Sequence, residues 1–196
     1  MNTLVNQPKT KRGQATLDRI CAAAEQLFFK KGYHGTSIND ITYKAKVAPG
    51  TFYIYFTDKL SLYKYLLISY SHQIRMNIAK DVKDCKNRKE IERLGLKSFL
   101  VFIKENRHVY NIIWESLYID KKLFIEYYTD FASNYVKHIT EAQEKGEMKN
   151  HDPEVVAYIL MGISNFVGLN WIMFKETSEF DDVVDKVIKA LDEGLF

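Results

Sequence analysis

The longest uncharged stretch of the chain most limits how it can fold. Residues 155–174, VVAYILMGISNFVGLNWIMF, contain no Asp, Glu, Lys or Arg. A helix of this length, about 30 Å, is long enough to cross a bilayer. In a soluble protein, a helix that is apolar on every side must be buried on more than one side. The stretch therefore predicts either a membrane span or a core helix that also contacts a second subunit.

Three features favour the subunit contact. Asn165 and Asn170 carry polar amides that are costly inside a bilayer, and no asymmetric Lys/Arg-rich loops flank the stretch. The small residues Gly162, Ser164 and Gly168 would let another helix approach closely. A membrane-anchored protein is the alternative, and recovery only in a detergent-requiring pellet would support it.

The rest of the chain also has helical periodicity. Apolar residues recur three and four positions apart, and no segment alternates apolar and polar residues as a half-buried strand does. The 196 residues include only three prolines, which interrupt helices. The predicted helices cover residues 16–31, 38–45, 49–55, 59–84, 89–105, 109–118, 121–145, 154–175 and 180–195. We therefore predict an all-α protein of about nine helices.

Basic residues are concentrated at the N-terminal end. Residues 1–60 contain nine Lys/Arg and four Asp/Glu, a net charge of +5, whereas residues 61–196 contain 19 and 21, a net charge of −2. A local excess of positive charge favours contact with a polyanion such as DNA. We expect a DNA-binding domain at 1–58 and a second domain, with another role, at 59–196.

Residues 37–56 predict a helix-turn-helix within a three-helix bundle. Ser37 and Asp40 have the spacing of a capping box, and Pro49 can begin the next helix because its missing N–H needs no partner there. Phe52 and Phe56 are four residues apart, so they share one helix face. We expect this pair to pack in the core and the rest of the third helix to face DNA.

The third helix offers small groups and hydroxyls rather than charges. Gly50 lets the backbone come close to a duplex, and the hydroxyls of Tyr53 and Tyr55 can donate to phosphate oxygens. Pro49, Thr51 and Tyr55 are expected to contact thymine methyl groups. Because the helix has no Arg, Asn or Gln, DNA shape is expected to contribute to recognition. Partial burial of the two tyrosines at the bundle edge is the alternative.

Residues 16–62 resemble the TetR family of bacterial transcriptional regulators. The likeness rests on LFFKKGYHGTS, SINDITYKAKV and APGTFYIYFTDKLSL, in which Gly50, Tyr53, Phe56 and Lys59 occupy positions of recurrent family residues. Beyond residue 62 the chain matches the family only in its layout of helices. The resemblance implies DNA contacts by the backbone at Thr36 and Ser37, by the Thr51, Tyr53 and Tyr55 hydroxyls and by the Lys59 ammonium. The expected DNA-binding residues also include Lys46, Pro49 and Gly50. Further contacts to phosphates or to the minor groove are expected from Lys9, Lys11 and Arg12.

Two residues depart from the family pattern. Lys46 replaces the usual turn glycine, so we expect it to adopt a positive φ at a cost of about 1 kcal/mol. Ala48 replaces the common Ser cap, which leaves an N–H of the third helix less well satisfied. Both changes predict a less rigid helix-turn-helix.

The resemblance also implies an effector-binding and dimerisation domain. TetR-like regulators pair their last two helices into a four-helix dimer interface, which here includes the stripe Val183, Val184, Val187 and Leu191. They bind small effectors among the preceding helices, where this chain is rich in aromatic residues. We expect an apolar or aromatic effector, in a binding site lined by Phe102, Tyr110, Trp114, Tyr128 and Asn165.

No motif supports catalysis or metal binding. The five histidines are scattered, and the sequence has no HExxH, GxSxG or Gly-rich phosphate loop. Cys21 and Cys85 form no CxxC pair and are expected to be reduced thiols in a cytoplasmic protein. We expect no cofactor and no metal.

The predicted function is a homodimeric, ligand-responsive repressor that binds an operator in double-stranded DNA, and the rival is a soluble helical ligand carrier or adaptor without DNA binding.

Overall fold

A computed structural model describes residues 4–195 and shows an all-helical chain in that range. The helices are α1 (Lys11–Lys31), α2 (Ile38–Lys44), α3 (Pro49–Tyr55), α4 (Lys59–Val82), α5 (Arg88–Glu105), α6 (His108–Ile119), α7 (Lys121–Glu144), α8 (Pro153–Gly168) and α9 (Asp181–Leu195), and a π-helical turn (Leu169–Phe174) continues α8. The all-α prediction of about nine helices is confirmed. Helix α1 begins earlier than predicted because the Thr10 hydroxyl caps it by accepting a hydrogen bond from the Gly13 N–H at 3.0 Å.

The first of two compact units contains the chain up to Tyr70 together with His108–Tyr127. Within it α1 packs against α2 and α6, and α2 packs against α3. Phe52, Phe56 and Tyr63 are fully buried, which confirms the predicted core role of the phenylalanine pair. This unit includes α6, so its composition differs from the predicted domain at 1–58. The functional division at residue 58 stays a prediction.

Local sequence explains the geometry of the helix-turn-helix. The Ser37 hydroxyl accepts from the Asp40 N–H at 3.0 Å, and the Asp40 carboxylate accepts from the Ser37 N–H at 2.9 Å, so the predicted capping box is formed. Lys46 has a φ of 55°, the left-handed conformation expected from its position. Ala48 makes no side-chain cap at the start of α3. The turn therefore carries the backbone strain that the sequence predicts.

The capping box predicts a pH dependence. Hydrogen bonds from the Ser37 backbone and hydroxyl lower the pKa of Asp40 below its ordinary value. A carboxyl whose folded pKa is depressed stabilises the fold above the unfolded pKa, about 3.9, and loses that contribution as pH falls through the folded pKa. We expect Asp40→Asn to be less stable than the wild type at pH 6, with the gap closing toward pH 3 in thermal unfolding. Ser37→Ala should be intermediate, and a gap that does not narrow between pH 6 and pH 3 would contradict this origin.

The second compact unit contains Ser71–Arg107 and the chain from Tyr128 onward. Within it α5 packs against α8 and α9. Val183 and Val184 of α9 are buried inside the chain. This part of the stripe predicted for the dimer interface is therefore already covered, because α9 turns it toward its own core. Pairing of the last two helices between subunits stays a prediction.

Helix α8 has two apolar faces. Val156, Ala157 and Leu160 pack into a buried cluster with residues of α7. The opposite face, which we call the outer face of α8, consists of the exposed residues Val155, Tyr158, Ile159 and Phe166 and the half-buried Gly162. A Cβ added at Gly162 would meet no atom within 4 Å, so another helix could approach there. By length and composition alone the helix Pro153–Phe174, with a mean hydropathy of 1.6 and a third of its most apolar window buried, could also cross a membrane.

Candidate nucleic-acid interface

The exposed residues of α2, the turn and α3 form one surface, which we call the reading surface. Its members are Asn39, Tyr43, Lys44, Lys46, Ala48, Pro49, Gly50, Tyr53 and Ile54. Tyr53 is 60% exposed because Phe52 and Phe56 hold the opposite side of α3 in the core. The surface combines two cations with the aromatic rings and hydroxyls of Tyr43 and Tyr53, a composition that suits phosphate and sugar contacts.

Most of the predicted residues of α3 and the turn lie where the sequence indicated. Lys46, Pro49 and Gly50 are exposed, and Thr51 is half-buried beside them. A Cβ at Gly50 would meet no atom within 4 Å, so the backbone there is open to a close approach. Pro49, Gly50 and Thr51 thus begin α3, with Lys46 in the preceding turn and the exposed Tyr53 further along the helix. Their contact with DNA stays a prediction.

Tyr55 differs from its expected orientation. Its side chain is only 8% exposed, and its hydroxyl donates to the Gly13 carbonyl at 3.1 Å. The reason is helical spacing, since Tyr55 lies three residues after Phe52 and shares the buried face of α3. The expectation that this hydroxyl points outward was wrong, and the alternative of burial at the bundle edge holds for Tyr55 but not for Tyr53.

The expected backbone donors before α2 are already engaged. The Thr36 N–H donates to the Tyr33 carbonyl at 3.3 Å, and the Thr36 side chain is buried with its hydroxyl donating to the Gly32 carbonyl at 2.8 Å. The Ser37 N–H donates to the Asp40 carboxylate in the capping box. The expectation that these two amides point toward a phosphate is therefore not met, because the loop and the cap use them first.

Lys59 also has partners inside the chain. Its ammonium donates to the carbonyls of Tyr33 at 2.7 Å and Thr36 at 2.6 Å, and it lies 4.2 Å from the centroid of the Tyr33 ring. Burial lowers the pKa of Lys59, and the nearby Glu115 carboxylate opposes this effect. In this arrangement Lys59 fastens the start of α4 to the loop between α1 and α2, rather than extending outward as expected.

Glu115 is a functional candidate that sequence reasoning missed. Its carboxylate, on α6, accepts a hydrogen bond from the Tyr33 N–H at 2.7 Å. Gly32 has a φ of 71°, and a Cβ there would lie 2.7 Å from the Glu115 carboxylate oxygen. Both the backbone conformation and the close approach of the carboxylate therefore favour glycine at this position. The Tyr63 hydroxyl of α4 donates to the Ile112 carbonyl of α6. Two helices thus hold the loop that precedes the helix-turn-helix.

Two exposed residues of α2 were also missed. Tyr43 is 88% exposed, and Lys44 lies beside it. Ile41 and Ala45, four residues apart, are both buried and fix the inward face of α2. That spacing was readable from the sequence and places Tyr43 and Lys44 on the outer side.

Two matched lysine substitutions separate the structural role of Lys59 from a DNA contact. Lys59→Met keeps the side-chain stem but removes the donor to two carbonyls, so we expect it to lower the free energy of unfolding by about 1–3 kcal/mol. The slope of log affinity for DNA against log salt should not change. Lys44→Met should leave stability unchanged and reduce that slope by about 0.9 for each phosphate that the Lys44 ammonium neutralises. A reduced slope for Lys59→Met without loss of stability would contradict the structural role.

The predicted effector residues do not share one environment. Phe102 and Tyr110 are buried, whereas Trp114 is partly exposed. Tyr128 is half-buried, and burial raises its pKa to about 12. The Asn165 side-chain amide donates to the Met161 carbonyl of its own helix at 2.8 Å. An open pocket of about 480 Å³ in the second unit is lined by other residues, at the start of α9 and on α5.

Comparison with known proteins finds similarity to bacterial transcriptional regulators. A family model described as bacterial regulatory proteins, tetR family, matches residues 20–66. The chain is 22% identical over 192 residues to the HTH-type transcriptional activator FasR of Mycolicibacterium smegmatis, a match that covers 94% of this chain and 83% of FasR.

Two solved structures share the fold over nearly the whole chain. A TetR-family transcriptional regulator from Syntrophomonas wolfei is 25% identical, with a TM-score of 0.80 and coverage of 93% of this chain and 97% of that chain. The regulator FadR from Bacillus subtilis, in complex with stearoyl-CoA, is 20% identical, with a TM-score of 0.74 and coverage of 89% and 96%. The family match spans the helices of the reading surface, so residues 20–66 are similar to bacterial regulatory proteins of the tetR family, and the chain as a whole shares its fold with a TetR-family regulator.

Proposed function

We propose that the chain is a cytoplasmic, homodimeric repressor that releases operator DNA when an effector with an apolar group binds. The observation that carries the proposal is the reading surface, on which Tyr53, Lys44 and Lys46 are exposed while Phe52 and Phe56 anchor α3 from behind. A surface of cations and a hydroxyl on a helix-turn-helix fits the phosphates and major groove of a duplex.

The outer face of α8 supports the dimer. Tyr158, Ile159 and Phe166 would leave a large apolar area in water in a single chain, and Gly162 provides room for a second helix. A second copy of α8 is the occupant that we propose. Two copies would present two reading surfaces to successive major grooves, which lie about 34 Å apart.

For the effector we propose an acyl thioester of coenzyme A. FadR of Bacillus subtilis, which shares the fold, is in complex with stearoyl-CoA. An acyl chain fits the apolar character expected from the aromatic residues of this chain. Binding would change the position of α4 and thereby the spacing of the two reading surfaces, so that both half-sites are no longer contacted together.

Gel shift at two salt concentrations tests DNA binding. The probe is a labelled duplex from the region upstream of the protein's own gene, and an unrelated duplex of equal length is the control. We expect a specific shift at about 50 mM salt that weakens by orders of magnitude at about 200 mM. No shift with either duplex would favour the rival carrier or adaptor, and recovery of the protein only with detergent would favour a membrane anchor.

Titration of the protein–DNA complex tests the effector. A series of acyl-CoA thioesters of increasing chain length is added, with free coenzyme A and the matching free acids as controls. Release of the duplex by one range of chain lengths, and by neither control, is the expected result. Release by the free acids alone would replace the thioester by a carboxylic acid, and retention under all conditions would contradict this effector class.

A further inference from the structure

The segment before α1 is fastened to the end of α3. The Asn6 N–H donates to the Tyr55 carbonyl at 2.9 Å, and the Asn6 side-chain amide donates to the Ile54 carbonyl at 3.0 Å. Both carbonyls belong to the last turn of α3, where the C=O groups have no partner within the helix. Val5 is buried next to Asn6 in the chain. The segment thus supplies the hydrogen bonds that the end of α3 lacks.

A second connection lies at the start of α1. The Tyr55 hydroxyl donates to the Gly13 carbonyl at 3.1 Å. A Cβ added at Gly13 would lie 2.9 Å from the Pro8 Cβ and 3.2 Å from the Thr10 hydroxyl, so the chain folds back closely on itself there. Hydrogen bonds therefore join the end of α3 to Asn6, just before residues 7–12, and to Gly13, just after them.

Three cations lie between these two connections. Lys9, Lys11 and Arg12 are exposed, and residues 4–13 contain no Asp or Glu. A flexible basic arm would lose conformational freedom on binding DNA, which lowers affinity. An arm that is already fixed avoids most of that loss.

We propose that residues 5–10 form a strap that holds Lys9, together with Lys11 and Arg12 in the adjoining first turn of α1, beside the C-terminal end of α3, so that these three cations and the reading surface bind the phosphodiester backbone of one duplex together. Asn6 and Tyr55 are positioning residues in this arrangement: they hold the cations and do not themselves contact DNA. The inference rests on the proposed function, since it requires that α3 binds DNA. It also gives the buried Tyr55 hydroxyl a purpose.

Limited trypsin digestion of the free protein tests the strap without DNA. The variants are Asn6→Ala, which removes one hydrogen bond to α3, and Tyr55→Phe, which removes only the hydroxyl. We expect cleavage after Lys9 to be about threefold to tenfold faster in each variant, because one hydrogen bond fewer holds the segment in place. Unchanged cleavage in both variants, with unfolding midpoints equal to the wild type, would overturn the strap.

Binding to a labelled mixed-sequence duplex of about 30 base pairs, roughly three helical turns, tests the positioning role. Asn6→Ala should weaken binding about threefold to tenfold and reduce the salt slope, although no charge is removed. In a background of Lys9→Gln, Lys11→Gln and Arg12→Gln the same substitution should have no further effect, because the groups that it positions are gone.

Two results would overturn the positioning role. One is wild-type affinity and salt slope for Asn6→Ala, and the other is a decrease in affinity of the same size in the background without the three cations. A wild-type protein that binds no duplex at about 50 mM salt would instead contradict the proposed function. In that case the digestion result still decides whether the strap exists.

Discussion

Ile159→Lys is expected to convert the protein from a dimer to a monomer and to abolish operator binding. Ile159 lies at the centre of the outer face of α8 and is 44% exposed in the single chain. In the proposed dimer the lysine would be buried without a partner, at a cost of about 3–5 kcal/mol, and the two-fold axis introduces it twice. The two copies together cost about 6–10 kcal/mol, and each 1.4 kcal/mol is a factor of ten, so the dimer dissociation constant should rise by about 10⁴–10⁷-fold.

Ile125→Lys is the matched control for this experiment. Ile125, on α7, is 51% exposed and receives the same change of charge and size outside the outer face of α8. Sedimentation of the two variants should give a monomer for Ile159→Lys and a dimer for Ile125→Lys, with unfolding midpoints close to the wild type. A dimeric Ile159→Lys variant would show that another surface joins the subunits.

Phe52→Ala is expected to unfold the helix-turn-helix while leaving the dimer intact. Phe52 has no exposed surface, and its ring lies 5.6 Å from that of Phe56. Removal of a buried phenylalanine leaves a cavity that costs about 3–5 kcal/mol, a large part of the stability of a small bundle. Circular dichroism should show an early unfolding transition, and binding to DNA should be abolished at physiological temperature.

Phe29→Ala provides the comparison within the same compact unit. Phe29, on α1, is 45% exposed, so the same truncation removes little buried surface. We expect its unfolding midpoint and its DNA affinity to stay close to the wild type. Equal destabilisation by the two variants would mean that Phe52 does not anchor α3 as described.

The fold was predictable because its local signals agree with one another. The capping box at Ser37, Pro49 at the start of α3 and the pair Phe52 and Phe56 each specify one local feature, and together they define the helix-turn-helix. The positive φ of Lys46 could be predicted because the turn requires it whatever residue is present.

The hydrogen-bond partners of the candidate site were less predictable. Lys59 and Glu115 lie far from Tyr33 in the sequence, and a single sequence does not reveal which distant carbonyl or N–H a charged side chain will reach. Tyr55 shows a second limit, because its spacing from Phe52 indicated burial while its hydroxyl suggested exposure. Where a side chain has both an apolar body and a polar tip, spacing was the better guide.

The bond between Glu115 and the Tyr33 N–H bears on attempts to exchange DNA specificity between regulators. Grafting residues 1–58 of a relative onto this chain would bring in a foreign loop, while Glu115 would remain from the recipient. A donor with any residue but glycine at the position of Gly32 would be strained at the φ of 71° and would push the Glu115 carboxylate away from the Tyr33 N–H. Chimeric regulators built on this chain should therefore carry α6 together with the transplanted segment, or choose donors whose first helix is also followed by glycine.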